Sequence, residues 1–302
     1  MGQKPPFFSI IIPTYNRPGQ LAACLQSMCR LDYPRDRFEV IVIDDGSERT
    51  PDNVVGRFRS EIDVGLVKQA HGGPAAARNT GAGAAKGQYL AFTGDDCSPA
   101  HDWLRALAAR VEREPECALG GSLVNGLSGN ACSTATHLLI RYLYSYYNGR
   151  PDSARFFTPN NLTIPSKRFS SIGGFDPSFD LGAGEDREFC DRWLRRGYRM
   201  VYAADAVVSH NHALTFREFL QLHSNYGRGT RRYREMIAQR DGDRIQFEPL
   251  RFYLDLVRYP LAEATDNGQF RLAALLGISQ IANAVGYFTE HFTRNRAWRT
   301  FT

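Results

Sequence analysis

Short apolar runs alternate with amphipathic stretches along the first part of the chain. Ser9-Ile10-Ile11-Ile12 is a continuous β-branched run, the pattern of a strand covered on both faces, and the pattern ends it at Pro13. Asn16 is then placed to cap a helix. Pro18 suits its first turn, and Leu21, Leu25 and Met28 recur at spacings of four and three on one face. The unit repeats: Glu39-Val40-Ile41-Val42-Ile43 reads as a second buried strand, residues 64–68 as a third and Tyr89-Leu90-Ala91-Phe92 as a fourth. Between the third and fourth lie a loop, Gly72-Gly73-Pro74, and a helix start rich in small residues, Ala75-Ala76-Ala77-Arg78-Asn79. Strands and helices alternating at these lengths predict an α/β fold with a mainly parallel sheet and flanking helices, binding its ligands beyond the carboxyl ends of the strands.

The polar residues sit at those ends: Pro13-Thr14-Tyr15, Asp44-Asp45-Gly46-Ser47 and Thr93-Gly94-Asp95-Asp96. Turn chemistry accounts for any one of them, and Asp44 and Asp45 suit an Asx turn with Gly46. Three in a row point to a ligand. A nucleotide base needs an apolar or aromatic surface and hydrogen-bond partners at its edge, which Pro13, Thr14, Tyr15, Asp44 and Asp45 can supply together. Arg78 follows a glycine loop at a helix start, where anions are already favoured, although a surface arginine is the plainer reading. Asp95-Asp96 could hold a hard divalent cation, Mg²⁺ or Mn²⁺, against a diphosphate.

From 126 to 165 the pattern turns irregular and aromatic, and its tyrosines and phenylalanines suit either sugar or lipid stacking or local core. A short strand follows at 160–165, a turn at Ile172-Gly173-Gly174-Phe175-Asp176, and a helix from Gly184 whose first turn carries Glu185 and Asp186 and whose Phe189 and Trp193 share one face. Two strand segments, 199–202 and 206–208, lead into Ser209-His210-Asn211-His212, an HxH pair suited to a metal. From Thr215 onward the reading is helical.

Composition narrows the field. The 302 residues are 43% hydrophobic, enough for one large core or two modest ones. The net charge of +5 comes from 37 basic and 32 acidic residues without a basic tract, which excludes a dedicated nucleic-acid binder. Residues 216–302 hold 13 Arg and 9 acids, so that third carries +4 of it. The apolar run Phe7 to Ile12 is far short of a signal peptide, and six scattered cysteines without CxxC spacing fit reduced thiols, so a cytoplasmic location is expected. The stretch Phe270 to Phe288 is apolar but interrupted by Gln280, Asn283 and two glycines, and reads as too polar to span a membrane. It suits an amphipathic helix on the inner face of an anionic membrane, or else domain packing or a homodimer contact.

SIIIPTYNRP, VIDDGS and AARNTGAGAAKGQYLAFTGDD, in this order and spacing, resemble glycosyltransferase family 2 with the GT-A fold, over roughly residues 8–212. The resemblance implies a Rossmann-like domain in two halves, 1–125 for the nucleotide sugar and 126–214 for the acceptor and catalysis, with 215–302 as a helical C-terminal extension. It implies an inverting enzyme that moves a sugar from a nucleoside-diphosphate donor, a UDP-sugar first, to a hydroxyl of a saccharide or lipid-linked acceptor, using Mn²⁺ or Mg²⁺. Asp186 would be the general base, with Glu185 orienting acceptor or helix. Pro13, Thr14, Tyr15, Asp44, Asp45, Arg78, Asp95 and Asp96 would bind the donor, and Asp96 the metal, with His210 first and His212 second as its partners, together or singly. The family writes its metal motif Asp-x-Asp, whereas this chain has Gly94-Asp95-Asp96, so the first carboxylate is missing. That departure keeps a second expectation open, a nucleotide-sugar-binding scaffold without turnover.

Overall fold

A computed structural model describes residues 4–242, 245–263 and 268–299 of the chain. Asp243, Arg244 and Asp266, counted in the C-terminal charge, lie outside the described residues. In order along the chain the elements are β1 (Phe8–Thr14), α1 (Pro18–Met28), β2 (Phe38–Asp44), α2 (Asp52–Gly56), β3 (Val64–Lys68), α3 (Gly73–Ala84), β4 (Tyr89–Phe92) and β5 (Cys97–Pro99). Then come α4 (Trp103–Arg113), β6 (Ala118–Asn125), α5 (Ala131–Tyr147), β7 (Leu162–Pro165), α6 (Ser166–Ile172), α7 (Glu185–Arg195) and β8 (Met200–His210). Three helices close the chain: α8 (Phe216–Asp241), α9 (Leu250–Glu263) and α10 (Gln269–Arg299).

The chain forms two compact units. The first comprises residues up to 126 with 147–180 and 186–212, and holds an eight-stranded sheet in the order β3-β2-β1-β4-β7-β6-β8-β5. The four strands read from the apolar runs are parallel to one another, while β7 is antiparallel to both β4 and β6. The registers Thr14↔Asp44 and Asp44↔Lys68 leave the carboxyl ends of β1, β2 and β3 level. The α/β class is as the alternation predicts, with mixed pairing in the second half of the sheet.

Local readings differ in three places. β1 runs through Pro13 to Thr14 rather than stopping at the proline. Asn16 does not cap α1, whose N-cap is Arg17. Instead Asn16 takes a left-handed backbone (φ 54°), and its side-chain oxygen accepts from Glu48 N at 2.9 Å. The two segments before His210 are one strand, β8, bulged where Gly121 pairs with Ala203 and Ser122 with Val207. The buried Asn161 amide holds that bulge by donating to Ser122 O (2.9 Å) and Ala206 O (2.8 Å) and accepting from Trp103 Nε1 (3.0 Å).

The second unit comprises residues 127–146, 181–185 and those from 213 onward. The aromatic segment that reads as irregular is largely the helix α5, with Leu138, Leu139, Tyr142 and Leu143 buried at helical spacing. Of its tyrosines, Tyr142 and Tyr144 are buried and Tyr146 is exposed. Helix α8 starts with a capping box formed by Thr215 and Glu218. It packs on α10 at very short range: a Cβ on Gly227 would lie 1.9 Å from Asn283 O, and one on Gly286 1.9 Å from Ser224 O. Buried Glu290 of α10 accepts from Arg228 (2.9 Å) and Arg232 (2.6 Å) of α8. The opposite side of α10 leaves Ile281, Val285 and Phe288 exposed. By length and composition alone Gln269–His291 is apolar enough to cross a membrane, so its polar residues do not by themselves rule a span out.

Candidate active site

The level ends of β1 and β2 set one side of the candidate site in the first unit. Asp44 closes its own turn, accepting from Ser47 N at 3.0 Å. Asp45 organises the loop that leads into α3. Its carboxylate accepts from Gln69 Nε2 (2.7 Å), Gly72 N (2.9 Å) and Gly73 N (2.9 Å), with His71 Nδ1 at 3.0 Å. Both aspartates are buried, so each serves a loop whatever else it binds. The exposed ring of Tyr15 stacks on His71 at 4.3 Å, which presents an aromatic surface at the rim. Pro13 lies at the same strand end, half-buried. Arg78 is buried in α3, its guanidinium 5.6 Å above the Phe175 ring, and is not the surface arginine of the plainer reading.

Beyond β4 the chain turns through Gly94 to Asp95 and Asp96. Thr14 Oγ1 donates to Asp95 Oδ2 at 2.8 Å, so that hydroxyl binds the neighbouring carboxylate. Asp96 reaches His210 because β5 pairs antiparallel with the end of β8, setting Cys97 opposite His210, and Asn211 N donates to Asp96 O at 2.8 Å. His210 Nε2 stands 3.4 Å from Asp96 Oδ1, and Asn160 Nδ2 stands 3.4 Å from the same ring nitrogen. Asp96, His210 and His212 each offer a ligand atom within 4.8 Å of the others. One carboxylate oxygen and two imidazole nitrogens form a donor set that could hold a divalent cation.

The two acids differ electrostatically. Burial, and then the charge of Asp96, push Asp95 up to about 6, against Arg17 and the Thr14 hydroxyl. Burial also raises Asp96, but the hydrogen bond and charge of His210, with His212 and Arg17, outweigh it and hold Asp96 well below the usual carboxylate range. Asp96 is therefore the member of the pair that ionises first. Burial raises the Cys24 and Cys97 thiols far above their ordinary range, so they stay neutral beside it, and Cys97 Sγ donates to Asp96 Oδ1 at 3.7 Å.

Helix α7 carries Glu185 and Asp186 in its first turn, Glu185 buried and Asp186 partly exposed. Its register is fixed from below by Phe189 and Trp193, both fully buried, with Phe189 4.7 Å from Phe175. Glu188 and Arg192 form a two-pronged ion pair (2.8 and 2.6 Å), and Arg192 also donates to Gly174 O at 2.7 Å. The turn before α7 is tied to α3 through Asn79, which accepts from Phe175 N (2.9 Å) and donates to Phe175 O (2.7 Å). Gly174 has to be glycine there. Its φ is 69°, and a Cβ would lie 2.5 Å from Asn79 Oδ1.

Arg17, His71 and Asn160 belong to this site and escaped the sequence reading. Arg17 follows the Tyr-Asn pair of the first motif directly, which was the available signal. His71 and Asn160 had none.

Comparison with known proteins gives a consistent picture. The family model described as glycosyl transferase family 2 matches residues 9–171. Glycosyltransferase AglE of Haloferax volcanii is 28% identical over 231 residues, 74% of this chain and 73% of that protein. The pre-mycofactocin glycosyltransferase of Mycobacterium tuberculosis is 30% identical over 227 residues, 72% of this chain but 46% of its own length, so the chain spans about half of that relative. Among solved structures, mannosyltransferase PcManGT from Pyrobaculum calidifontis, in complex with GDP-Man and Mn²⁺, aligns with a TM-score of 0.62 at 20% identity, covering 93% of this chain and 88% of that one. Residues 1–349 of Staphylococcus aureus TarS, in complex with UDP-GlcNAc, align at 0.57 and 18% identity, covering 96% of this chain and 92% of that one. At these identities the structural likeness establishes the GT-A fold.

Proposed function

The chain belongs to glycosyl transferase family 2, and from that premise we propose that it transfers a sugar from a nucleoside-diphosphate donor to a hydroxyl acceptor with inversion and with the help of a divalent cation. The observation that carries this reading is the convergence of Asp96, just before β5, with His210 and His212, at and beyond the end of β8. A cation held there would neutralise the diphosphate charge as the sugar departs. Pro13, Tyr15 and Asp45 frame the base, and Arg78 and Asp95 complete the donor side. Asp186 takes the acceptor proton as the hydroxyl oxygen attacks the anomeric carbon from the face opposite the nucleotide. Glu185, buried at the start of the same helix, orients it.

UDP-sugars come first as donors, with GDP-sugars next, since TarS binds UDP-GlcNAc and PcManGT binds GDP-Man. The acceptor is a saccharide or lipid-linked saccharide. The second unit favours a lipid surface as its neighbour: Leu250, Leu254 and Leu261 on α9 and Ile281, Val285 and Phe288 on α10 are exposed, with Arg251, Arg258 and Arg271 exposed among them. Glu290, buried against two arginines of α8, argues for α10 lying on the membrane rather than crossing it. Co-sedimentation with anionic vesicles and none with neutral ones is expected; a concentration-dependent dimer without lipid binding would assign this face to a second copy of the chain.

The catalytic reading is tested with Mn²⁺ and a panel of UDP-, GDP- and dTDP-sugars, following released nucleotide and the anomeric configuration of the product by NMR. Asp186→Asn should cut transfer by about 10²- to 10⁴-fold while nucleotide affinity holds. An unchanged rate would remove Asp186 as the base. Tight nucleotide binding with no turnover and no metal dependence would favour a scaffold instead.

A further inference from the structure

The cation site already has a cation beside it. Arg17 Nη1 stands 3.4 Å from Asp95 Oδ1 and 3.4 Å from Asp96 Oδ2, while His210 faces the other oxygen of Asp96. The two carboxylates are nearly buried, at 6% and 10% side-chain exposure, whereas the Arg17 side chain is 44% exposed. Charge-assisted N–H···O bonds normally close to about 2.7–2.9 Å, so both contacts are long. Both run through Nη1, which leaves Nη2 and Nε outside them. The backbone beneath the side chain, by contrast, is fixed: Asn16 holds its left-handed turn, with its N–H donated to Ser47 Oγ (2.9 Å) and its side chain bound to Glu48 N (2.9 Å). Arg17 is a charge on a fixed base with a loosely held head.

We propose that Arg17 is a positioning residue that couples metal and nucleotide binding, balancing the Asp95 and Asp96 carboxylates in the metal-free protein and turning to the donor diphosphate once a metal ion takes up Asp96. The inference rests on the cation reading of Asp96, His210 and His212. A divalent cation on Asp96 neutralises the charge that attracts Arg17 and repels the guanidinium, so metal binding weakens the hold of Asp96 on Arg17. A diphosphate then offers the freed guanidinium oxygen pairs that match its fork of donors. Linkage makes the effect reciprocal: metal tightens nucleotide binding through Arg17 by the factor by which nucleotide tightens metal binding.

The experiment measures Mn²⁺ binding by electron paramagnetic resonance with and without UDP or GDP, and nucleotide binding by calorimetry with and without Mn²⁺. Wild type, Arg17→Ala, Arg17→Lys and Asp96→Asn are compared. For Arg17→Ala the expectation is Mn²⁺ alone bound about three- to tenfold tighter, nucleotide bound more weakly, and a smaller coupling between the two. Arg17→Lys keeps the charge and should stay near wild type for Mn²⁺ alone. A folding defect would weaken both ligands together, so the opposite signs are diagnostic. Unchanged or weaker Mn²⁺ binding in Arg17→Ala, with Asp96→Asn losing it, overturns the role of Arg17 and leaves the cation reading standing. If the wild type itself binds no Mn²⁺, both fall.

Discussion

Gly94 occupies the position where the family motif carries its first acid, and restoring that acid is the sharpest test of how the site is built. A Cβ on residue 94 would lie 2.8 Å from Asp96 Oδ1, where ordinary contact starts near 3.4 Å, and 3.7 Å from Asn160 Oδ1. The obstructing atom is the tip of a side chain, so Asp96 can rotate away, but the atom that moves is the one facing His210. Gly94→Asp adds a third carboxylate beside two that are nearly buried. At a separation of about 4 Å and an effective dielectric near 20, each new like-charge pair costs about 4 kcal/mol. Asp95, already pushed up to about 6, can relieve this by taking up a proton, and Arg17 screens what remains. A net loss of about 2–3 kcal/mol in the metal-free protein is therefore expected, roughly 5–10 °C in melting temperature. Mn²⁺ should restore much of it, so the Mn²⁺-induced shift in Gly94→Asp exceeds that of the wild type. Gly94→Ala isolates the steric part, with little loss of stability but weaker Mn²⁺ binding. The assay is thermal unfolding in chelator and across a MnCl₂ titration. A Gly94→Asp protein as stable as the wild type in chelator, with the same Mn²⁺ shift, would refute the crowded acidic cluster.

Gly227→Ala should destabilise the second unit by about 1–3 kcal/mol in urea unfolding, because the clash with Asn283 O outweighs the helix-propensity gain of about 1 kcal/mol, whereas Gly277→Ala, with nothing within 4 Å, should stabilise it. His223, buried with its Nε2 3.2 Å from Thr136 Oγ1, has its pKa lowered by burial to about 4. The unfolded chain thus binds the proton first as pH falls below about 6.5, and stability present above that value should drop by about 2 kcal/mol by pH 5 and about 3 kcal/mol by pH 4. His223→Gln should flatten that dependence. Asp45→Asn sets an amide against donors now satisfied by a carboxylate, and should cost about 2–4 kcal/mol of stability and weaken nucleotide binding in calorimetry. Wild-type affinity in a folded Asp45→Asn protein would show that the loop from Gln69 to Gly73 does not shape the donor site.

The sequence by itself determined the local pieces. Apolar runs at Ile10 to Ile12 and Val40 to Ile43 had to be covered strands, since residues apolar at every position cannot leave a face in water, and Asp44, Asp45, Asp95 and Asp96 were legible as loop acids after them. Phe189 and Trp193 located α7 for the same reason, their four-residue spacing placing both on one buried face. Helix α5 escaped because its aromatics obscured the period. The site itself was decided by tertiary structure. Asp96 meets His210 only because three-residue β5 pairs with the end of β8, beyond a bulge that the buried Asn161 amide holds in register. Arg17 meets both aspartates only because the parallel β1 and β4 end side by side, with Asn16 turning the chain between Arg17 and the loop after β2. Pairings between residues distant in sequence leave no periodicity, and their chemistry shows only once the sheet has brought the strand ends together.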